Sequence, residues 1–334
     1  MARLAPKWNK EFAMVWDSAM GFYRVWVIHF GRRYGLLQEM KDASLKSPDK
    51  IADALSLSKE AVRLWLDAAL SVGLIVERDG GYSIPRRLVP LLVDEEDVRF
   101  IGGLPSYLAL RSLDFERFDA FFRDGIGSVG QAHSTEAFKA GTIWDHTAFL
   151  KLLVRKESGL ERMLTDGAKA LDVGAGAGGW SIRLAERFPS STFVGVDPDS
   201  EAIAEGVRRA KAMGLQNVRL LVGDVASMGF SEEFDLVYLG EVLSLIRPGL
   251  PALRACNRAL RKGGLVVVCE GLIVKGRTAK KEDRLAVAMQ MDIALQGGRF
   301  LSRPALAGLL RESGFRRIRF YDLGGGLCFL VAQK

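Results

Sequence analysis

The chain has 334 residues, 49% of them hydrophobic, and 47 Lys and Arg against 40 Asp and Glu leave a formal charge of +7. That composition buries a large core, and the length is enough for two domains. No secretory signal shows at the N-terminus and no uninterrupted apolar run reaches membrane-spanning length, so a soluble, cytoplasmic protein is the expectation.

Residues 12–30 are apolar but interrupted by Asp17 and Arg24, with aromatic residues at helical spacing. This predicts a buried helix or a subunit contact rather than a membrane anchor. Residues 51–55, a Ser56-Leu57-Ser58 turn and residues 59–72 predict a helix-turn-helix, with Ser58 as cap and Ala61, Leu64, Leu66 and Leu70 as the apolar face. Residues 73–78 and 82–84 read as short strands around the tight-turn signal Asp79-Gly80-Gly81, which completes a winged-helix pattern. A winged helix raises DNA binding. Yet residues 1–100 carry 15 Lys and Arg against 14 Asp and Glu, and the would-be recognition helix offers only Lys59 and Arg63. DNA binding relies on several phosphate-neutralising side chains on one face, so dimerisation and roofing of an active site is the favoured use.

Residues 98–165 read as a largely helical connector rich in aromatic side chains: Tyr107, Phe115, Phe118, Phe121 and Phe122 precede a glycine-rich break at 125–130, and Trp144-Asp145-His146 leads a helix into the first strand that follows. Lining of an acceptor pocket and plain core packing account for the aromatics equally well. Residues 169–180 then run from a short apolar strand into a glycine-rich turn and a helix. Glycines there allow positive φ and let a ligand approach main-chain N–H groups that the helix start leaves unpaired. Gly174, Gly176 and Gly179 also satisfy G-x-G-x-x-G, so the glycines alone leave a dinucleotide open.

The surrounding acids separate these readings. Asp172, just before the first glycine, suits a cationic or amine-bearing ligand and would repel a pyrophosphate, which favours S-adenosylmethionine over a nicotinamide cofactor. Asp197, at the end of a second strand, can take both ribose hydroxyls. Asp224, after a third strand over 217–222, lies within reach of an adenine amino group. With these motifs and the fourth strand at 234–239, the chain resembles the class I S-adenosylmethionine-dependent methyltransferases. The preceding winged-helix pattern extends the resemblance to the small-molecule O-methyltransferases, whose N-terminal part makes an interlocked homodimer. The resemblance implies cofactor contacts at Asp172, Gly174, Gly176 and Gly178 in the turn and at Asp197 and Pro198 after the second strand. It implies further contacts at Gly223, Asp224, Val225 and Gly240, and no metal.

Members of that family use a histidine shortly after the fourth strand as base, an acid after the fifth to orient it, and a second acid beyond a later Gly-Gly. Here Ser244 stands at the histidine's place, Glu270 matches the first acid, and Phe300 falls where the second would be. A sulfonium already activates its methyl group, so in-line placement carries the transfer and a base matters only where the acceptor must lose a proton. His146 is the histidine candidate for acceptor chemistry, with Glu241, Tyr238 and Glu270 beside it, whereas His29 reads as structural. Cys256, Cys269 and Cys328 lack metal-ligand spacing and read as reduced core residues.

The expected fold is α/β: a seven-stranded Rossmann-like methyltransferase sheet with a reversed final hairpin over 166–334, a helical connector over 98–165, and a mainly helical winged-helix domain over 1–97. The expected function is methyl transfer to a small aromatic or apolar acceptor, with oxygen ahead of nitrogen or carbon. The alternative is a winged-helix DNA-binding regulator that senses S-adenosylmethionine. The basic residues of the C-terminal segment read as a solvated face rather than an RNA or protein surface.

Overall fold

A computed structural model describes residues 8–127, 132–246, 249–275 and 279–334. The chain divides into two units, one of Met1–Leu113 with Glu136–Trp144 and one of Asp114–Thr135 with Asp145–Lys334. The stretch 98–165 is therefore shared between two cores rather than forming a piece of its own. Residues 128–130 of its glycine-rich break lie outside the described residues.

In the first unit, residues 12–30 fall within one helix, Lys10–Arg33, whose start is capped by Asn9 accepting from the Phe12 N–H at 2.8 Å. Only its last turns are buried, at Val27, Ile28, His29 and Gly31. Gly31 is needed there because a Cβ would stand 2.6 Å from the Trp65 ring, whose Nε1 donates to the Val27 carbonyl at 2.9 Å. Helices Pro48–Leu55 and Lys59–Ser71 follow, the second capped by the Ser58 hydroxyl. The expected apolar face of this second helix is corrected. Val62, Trp65, Leu66 and Ala69, at i, i+3, i+4 and i+7, are buried, while Ala61, Leu64 and Leu70 are exposed. The Gly31–Trp65 contact fixes that rotation. Strands β1 (Val76–Arg78) and β2 (Gly81–Ser83) pair antiparallel around Asp79 and Gly80, both at positive φ as a tight hairpin turn requires. Tyr82 also bridges to Lys46. Among the described residues no helix is long and apolar enough to cross a membrane.

The second unit is built on seven strands: β3 (Lys169–Val173), β4 (Thr192–Asp197), β5 (Val218–Val222), β6 (Phe234–Gly240), β7 (Leu260–Gly271), β8 (Arg316–Gly324) and β9 (Leu327–Gln333). Their order is β5-β4-β3-β6-β7-β9-β8, parallel through β7, with the final hairpin antiparallel as expected. Central strands covered on both faces read as continuous apolar runs, and Leu236, Val237, Leu239, Val266, Val267 and Val268 are accordingly buried. β7 begins earlier than the expected 265 because Leu260 pairs with Phe234 before the register shifts to Leu236 and Leu265. Asn217 is the last residue before β5, and its amide donates to the carbonyls of Ala185, Phe188 and Ser191. It thereby ties the end of helix Gly179–Arg187 to the start of β4. All three cysteines are buried and free, in line with the sequence.

Candidate functional site

The strand order reverses direction between β3 and β6, so their carboxyl ends open a crevice in which α/β sheets bind ligands. The register sets Asp172 of β3 directly beside Tyr238 of β6 across that point. In the turn after β3, Gly174, Gly176 and Gly178 all have positive φ, at 70°, 53° and 69°. A Cβ on Gly174 would lie 2.4 Å from Val242, whereas one on Gly176 would meet nothing within 4 Å. The turn is thus closed on the β6 side and open at Gly176. Gly178 precedes helix Gly179–Arg187, whose first N–H groups end at this turn.

The acids on this side hold the loops in shape. Asp172 is buried and accepts from the Ser181 hydroxyl at 2.8 Å. Burial pushes its carboxyl up to about 7 despite that hydrogen bond. Asp197 ends β4 and accepts from the N–H groups of Gly176 and Asp199, both at 2.8 Å, with burial raising its pKa. Each of its oxygens keeps a second lone pair for a ligand hydroxyl. Pro198 is exposed beside it. Gly223 donates to the Asp197 carbonyl at 2.9 Å, Asp224 is exposed and accepts from the Ala226 N–H at 2.8 Å, and Val225 turns into the core.

The other side of the crevice is formed by β6, β7 and helix Ile143–Ala148. Tyr238 stacks on Trp180 at 4.5 Å with a 5° interplanar angle and meets Phe149 edge-on at 5.5 Å. Its buried hydroxyl has no hydrogen-bond partner. Gly240 must lack a side chain because a Cβ would lie 2.8 Å from the Tyr238 ring and hydroxyl. Glu241 follows at φ 55°, a left-handed conformation that costs a non-glycine residue about 1–2 kcal/mol. Its N–H donates to the Cys269 carbonyl at 2.8 Å, and burial pushes its carboxyl up to about 7. Glu270, buried at the end of β7, accepts from the N–H groups of Leu243 at 2.6 Å and Ser244 at 3.2 Å. Burial, and then the charge of Glu241, push it up to about 8.

Ser244 donates its N–H to Glu270, and its carbonyl accepts from Arg299 at 2.9 Å. Glu270 therefore grips the backbone of the loop that carries Glu241. Phe300 packs against Gly271, where a Cβ would stand 2.4 Å from its ring.

His146 lies at the glycine turn, its ring carbon 2.9 Å from the place a Cβ on Gly179 would take. Burial, and then the charges of Arg183 and Arg209, push its pKa down to about 3, so it is neutral and a weak base. The residue before it was not singled out from the sequence. Asp145 is buried, its Oδ2 has no partner, and its pKa stands well above the usual carboxylate range through burial and then the charges of Glu241 and Glu270. Helical spacing puts it on the face of Phe149, which touches Tyr238. A π-helical turn over Phe149–Leu153 follows, an irregularity frequent at functional sites. Tyr107 packs on Phe138 in the first unit, while Phe115 with Phe118 and Phe121 with Phe122 form separate pairs in the second. Among the described residues no group of three or more His, Cys, Asp or Glu side chains could hold a metal ion.

Comparison with known proteins agrees with this architecture. The demethylmenaquinone methyltransferase of Staphylococcus aureus strain JH9 is 34% identical over 119 residues, which are 35% of this chain and 47% of that protein. The chain thus spans about half the length of the curated relatives it matches. Human N-acetylserotonin methyltransferase, solved with S-adenosylmethionine, superposes with a TM-score of 0.68 at 18% identity over 99% of both chains. An O-methyltransferase family protein from Burkholderia thailandensis gives 0.64 at 14% identity, over 98% of this chain and 99% of that one. These likenesses show that the O-methyltransferase fold runs over nearly the whole chain. Residues 170–264 match the family described as a methyltransferase domain, and the crevice at the ends of β3 and β6 belongs to that domain.

Proposed function

We propose that this chain transfers a methyl group from S-adenosylmethionine to a small aromatic or apolar acceptor. The observation that carries this reading is the glycine turn of positive φ, open at Gly176 and flanked by Asp172, Asp197 and Asp224 at three strand ends. These residues fit the cofactor. The carboxylates of Asp172 and Asp197 suit its amine and its ribose hydroxyls, Asp224 its adenine, and the turn brings main-chain N–H groups close. Pro198, Gly223 and Gly240 border the same surface, with Val225 packed behind it in the core. S-adenosylmethionine supplies an activated methyl group.

On the acceptor side, Glu270 is a positioning residue that holds the 241–246 loop, and Tyr238 offers a hydroxyl. Glu241, with a carboxyl near neutrality, is better matched as a proton acceptor at pH 7 than His146 at about 3. His146 supports the turn at Gly179.

The helix-turn-helix and hairpin of the first unit act as a winged helix that pairs subunits. The exposed Met14, Val15, Trp16, Phe22 and Tyr23 of helix Lys10–Arg33 supply the apolar contact of a homodimer. Lys59 pairs with Asp49 and Asp53, and Arg63 with Asp49, which leaves the second helix little charge for phosphates.

The test is incubation of purified protein with methyl-labelled S-adenosylmethionine and a fractionated extract of its source organism. Label is expected in a small-molecule fraction. Tight cofactor binding without any transfer would overturn the enzyme reading.

A further inference from the structure

The proposed transfer leaves one group of side chains without explanation. Asp145, Glu241 and Glu270 come from a helix, a loop and a strand end that are distant in sequence, and the charges of Glu241 and Glu270 both bear on Asp145. Buried carboxylates are normally paired with Lys, Arg or a metal, because the desolvation of each charge is otherwise uncompensated. Among the described residues none of the three has an ion pair, and the Glu270 carboxyl accepts from the backbone N–H groups of Leu243 and Ser244 and from the Ser244 side chain.

Around them stand two further unsatisfied acceptors, Asp145 Oδ2 and the Tyr238 hydroxyl, each on a side chain at most 3% exposed. The Tyr238 hydroxyl lies against Gly240, next to Glu241, and burial, then the charges of Cys269, Asp145, Asp172 and Glu241, oppose its ionisation. Glu241 is held there at a strained φ of 55° by the Cys269 carbonyl and by Glu270's grip on the residues that follow.

We propose that the methyl acceptor is an amine that enters as its ammonium ion, held by Asp145, Glu241 and the Tyr238 hydroxyl at the carboxyl ends of β6 and β7. The inference rests on the methyl-transfer reading and names its substrate class. An ammonium presents up to three N–H donors and no acceptor, which complements the unpartnered oxygens of Asp145 and Tyr238 and the Glu241 carboxyl. The Tyr238 hydroxyl accepts through its lone pairs.

A neutral phenol or alcohol would instead leave the acids protonated, with no cation to favour their ionised form. Before transfer, the ammonium N–H bond breaks and its proton passes to the Glu241 carboxylate. The freed nitrogen lone pair then forms the N–CH3 bond while the S–CH3 bond breaks and its electron pair remains on sulfur. Glu241 afterwards returns the proton to water. A carboxyl near neutrality is ionised often enough to take that proton and weak enough an acid to keep it through the step.

The experiment measures binding of 2-phenylethylamine and of 2-phenylethanol, its neutral counterpart, by titration calorimetry of the full chain saturated with S-adenosylhomocysteine. Saturation itself tests the underlying reading: a protein that does not bind S-adenosylhomocysteine fails there, before the acceptor is in question. The amine is expected to bind at least tenfold more tightly than the alcohol at pH 8. The gap should narrow toward pH 5.5 as the acids take up protons, and protons should be released to buffer on amine binding at pH 7. Glu241→Gln and Asp145→Asn should each shrink the gap several-fold while leaving S-adenosylhomocysteine affinity unchanged, which shows that the variants are folded. Equal binding of the two probes, or none by either, with the cofactor product bound would overturn the proposal. So would a Glu241→Gln variant that loses affinity for S-adenosylmethionine but not for S-adenosylhomocysteine, because the acids would then serve the sulfonium.

Discussion

The two halves of the crevice treat their acids in opposite ways. Along β3, β4 and β5, each carboxylate already serves the fold: Asp172 takes the Ser181 hydroxyl, Asp197 closes the Gly176 and Asp199 N–H groups, and Asp224 caps its own turn. Along β6 and β7, Asp145 has a bare oxygen, Glu241 sits in a strained backbone well, and only Glu270 is hydrogen-bonded. The first half is pre-organised by satisfied groups and needs little rearrangement to receive a ligand. The second stores unfavourable energy, as expected where a ligand is to supply the missing partner. The difference gives rigidity to the proposed cofactor side and ligand dependence to the proposed acceptor side.

The largest effect that sharpens this contrast is a pH dependence of stability. Glu270 and Glu241 have folded pKa values of about 8 and about 7, above the ordinary glutamate value of 4.5, and Asp145 is raised as well. Between those limits the unfolded chain binds fewer protons than the folded one, so unfolding free energy falls as pH rises. Stability contributed by these groups is complete below about pH 4.5 and is lost toward pH 8, on the order of a few kcal/mol. Urea titrations of the wild type at pH 5.5 and 8 should show the loss, and Glu270→Gln should reduce it, the raised carboxyls of Glu241, Asp145 and Asp172 keeping the remainder. Parallel curves for both proteins would return Glu270 to the ordinary carboxylate range.

Next in size, Asp197→Ala removes the ligand-facing lone pairs of the satisfied half together with the clasp on Gly176. Cofactor affinity should weaken by roughly 1.5–3 kcal/mol, the scale for a lost hydrogen bond to a charged group. Calorimetry with S-adenosylhomocysteine reads it, and unchanged affinity would remove Asp197 from the ribose.

How much of this was legible follows from which interactions are local. The glycine turn was readable because positive φ at 174, 176 and 178 leaves little choice but glycine, and strand-end acids lie next to the strands that carry them. The face of helix Lys59–Ser71 was not, because a Leu-rich helix offers more than one apolar stripe and the contact of Trp65 with Gly31, far back in the chain, selects among them. Asp145 looked like part of a Trp-Asp-His triplet, and its charge acquires meaning only when the fold brings it near Glu241 and Glu270. The buried Thr147, Ala148 and Phe149 after it were the available signal that an acid there points inward. The resemblance implied that Glu270 orients a histidine. With Ser244 at that place, its carboxylate takes the backbone N–H groups of Leu243 and Ser244 and the Ser244 side chain instead.

A smaller effect separates strain from charge on the acceptor side. Glu241→Gly relieves the left-handed φ and removes a buried carboxyl, offset by the greater freedom glycine gives the unfolded chain. The variant should gain about 1 kcal/mol in urea denaturation at pH 8 and lose methyl transfer. A loss of stability would mean that the Glu241 side chain contributes packing that outweighs its strain.

The smallest effect lies at Asp224, and it tests whether the satisfied half is uniform. Asp224 is exposed, and its Oδ1 is shared with the Ala226 N–H, so water competes for any contact with an adenine amino group. Asp224→Asn keeps the carbonyl oxygen that caps the turn and substitutes an amide donor for the other oxygen. Cofactor affinity should fall by no more than about 1 kcal/mol, the net worth of one ordinary hydrogen bond, and turn stability should not change. A loss as large as that of Asp197→Ala would show that the adenine end closes over Asp224 on binding, and the rigid character assigned to this half would then stop at β4.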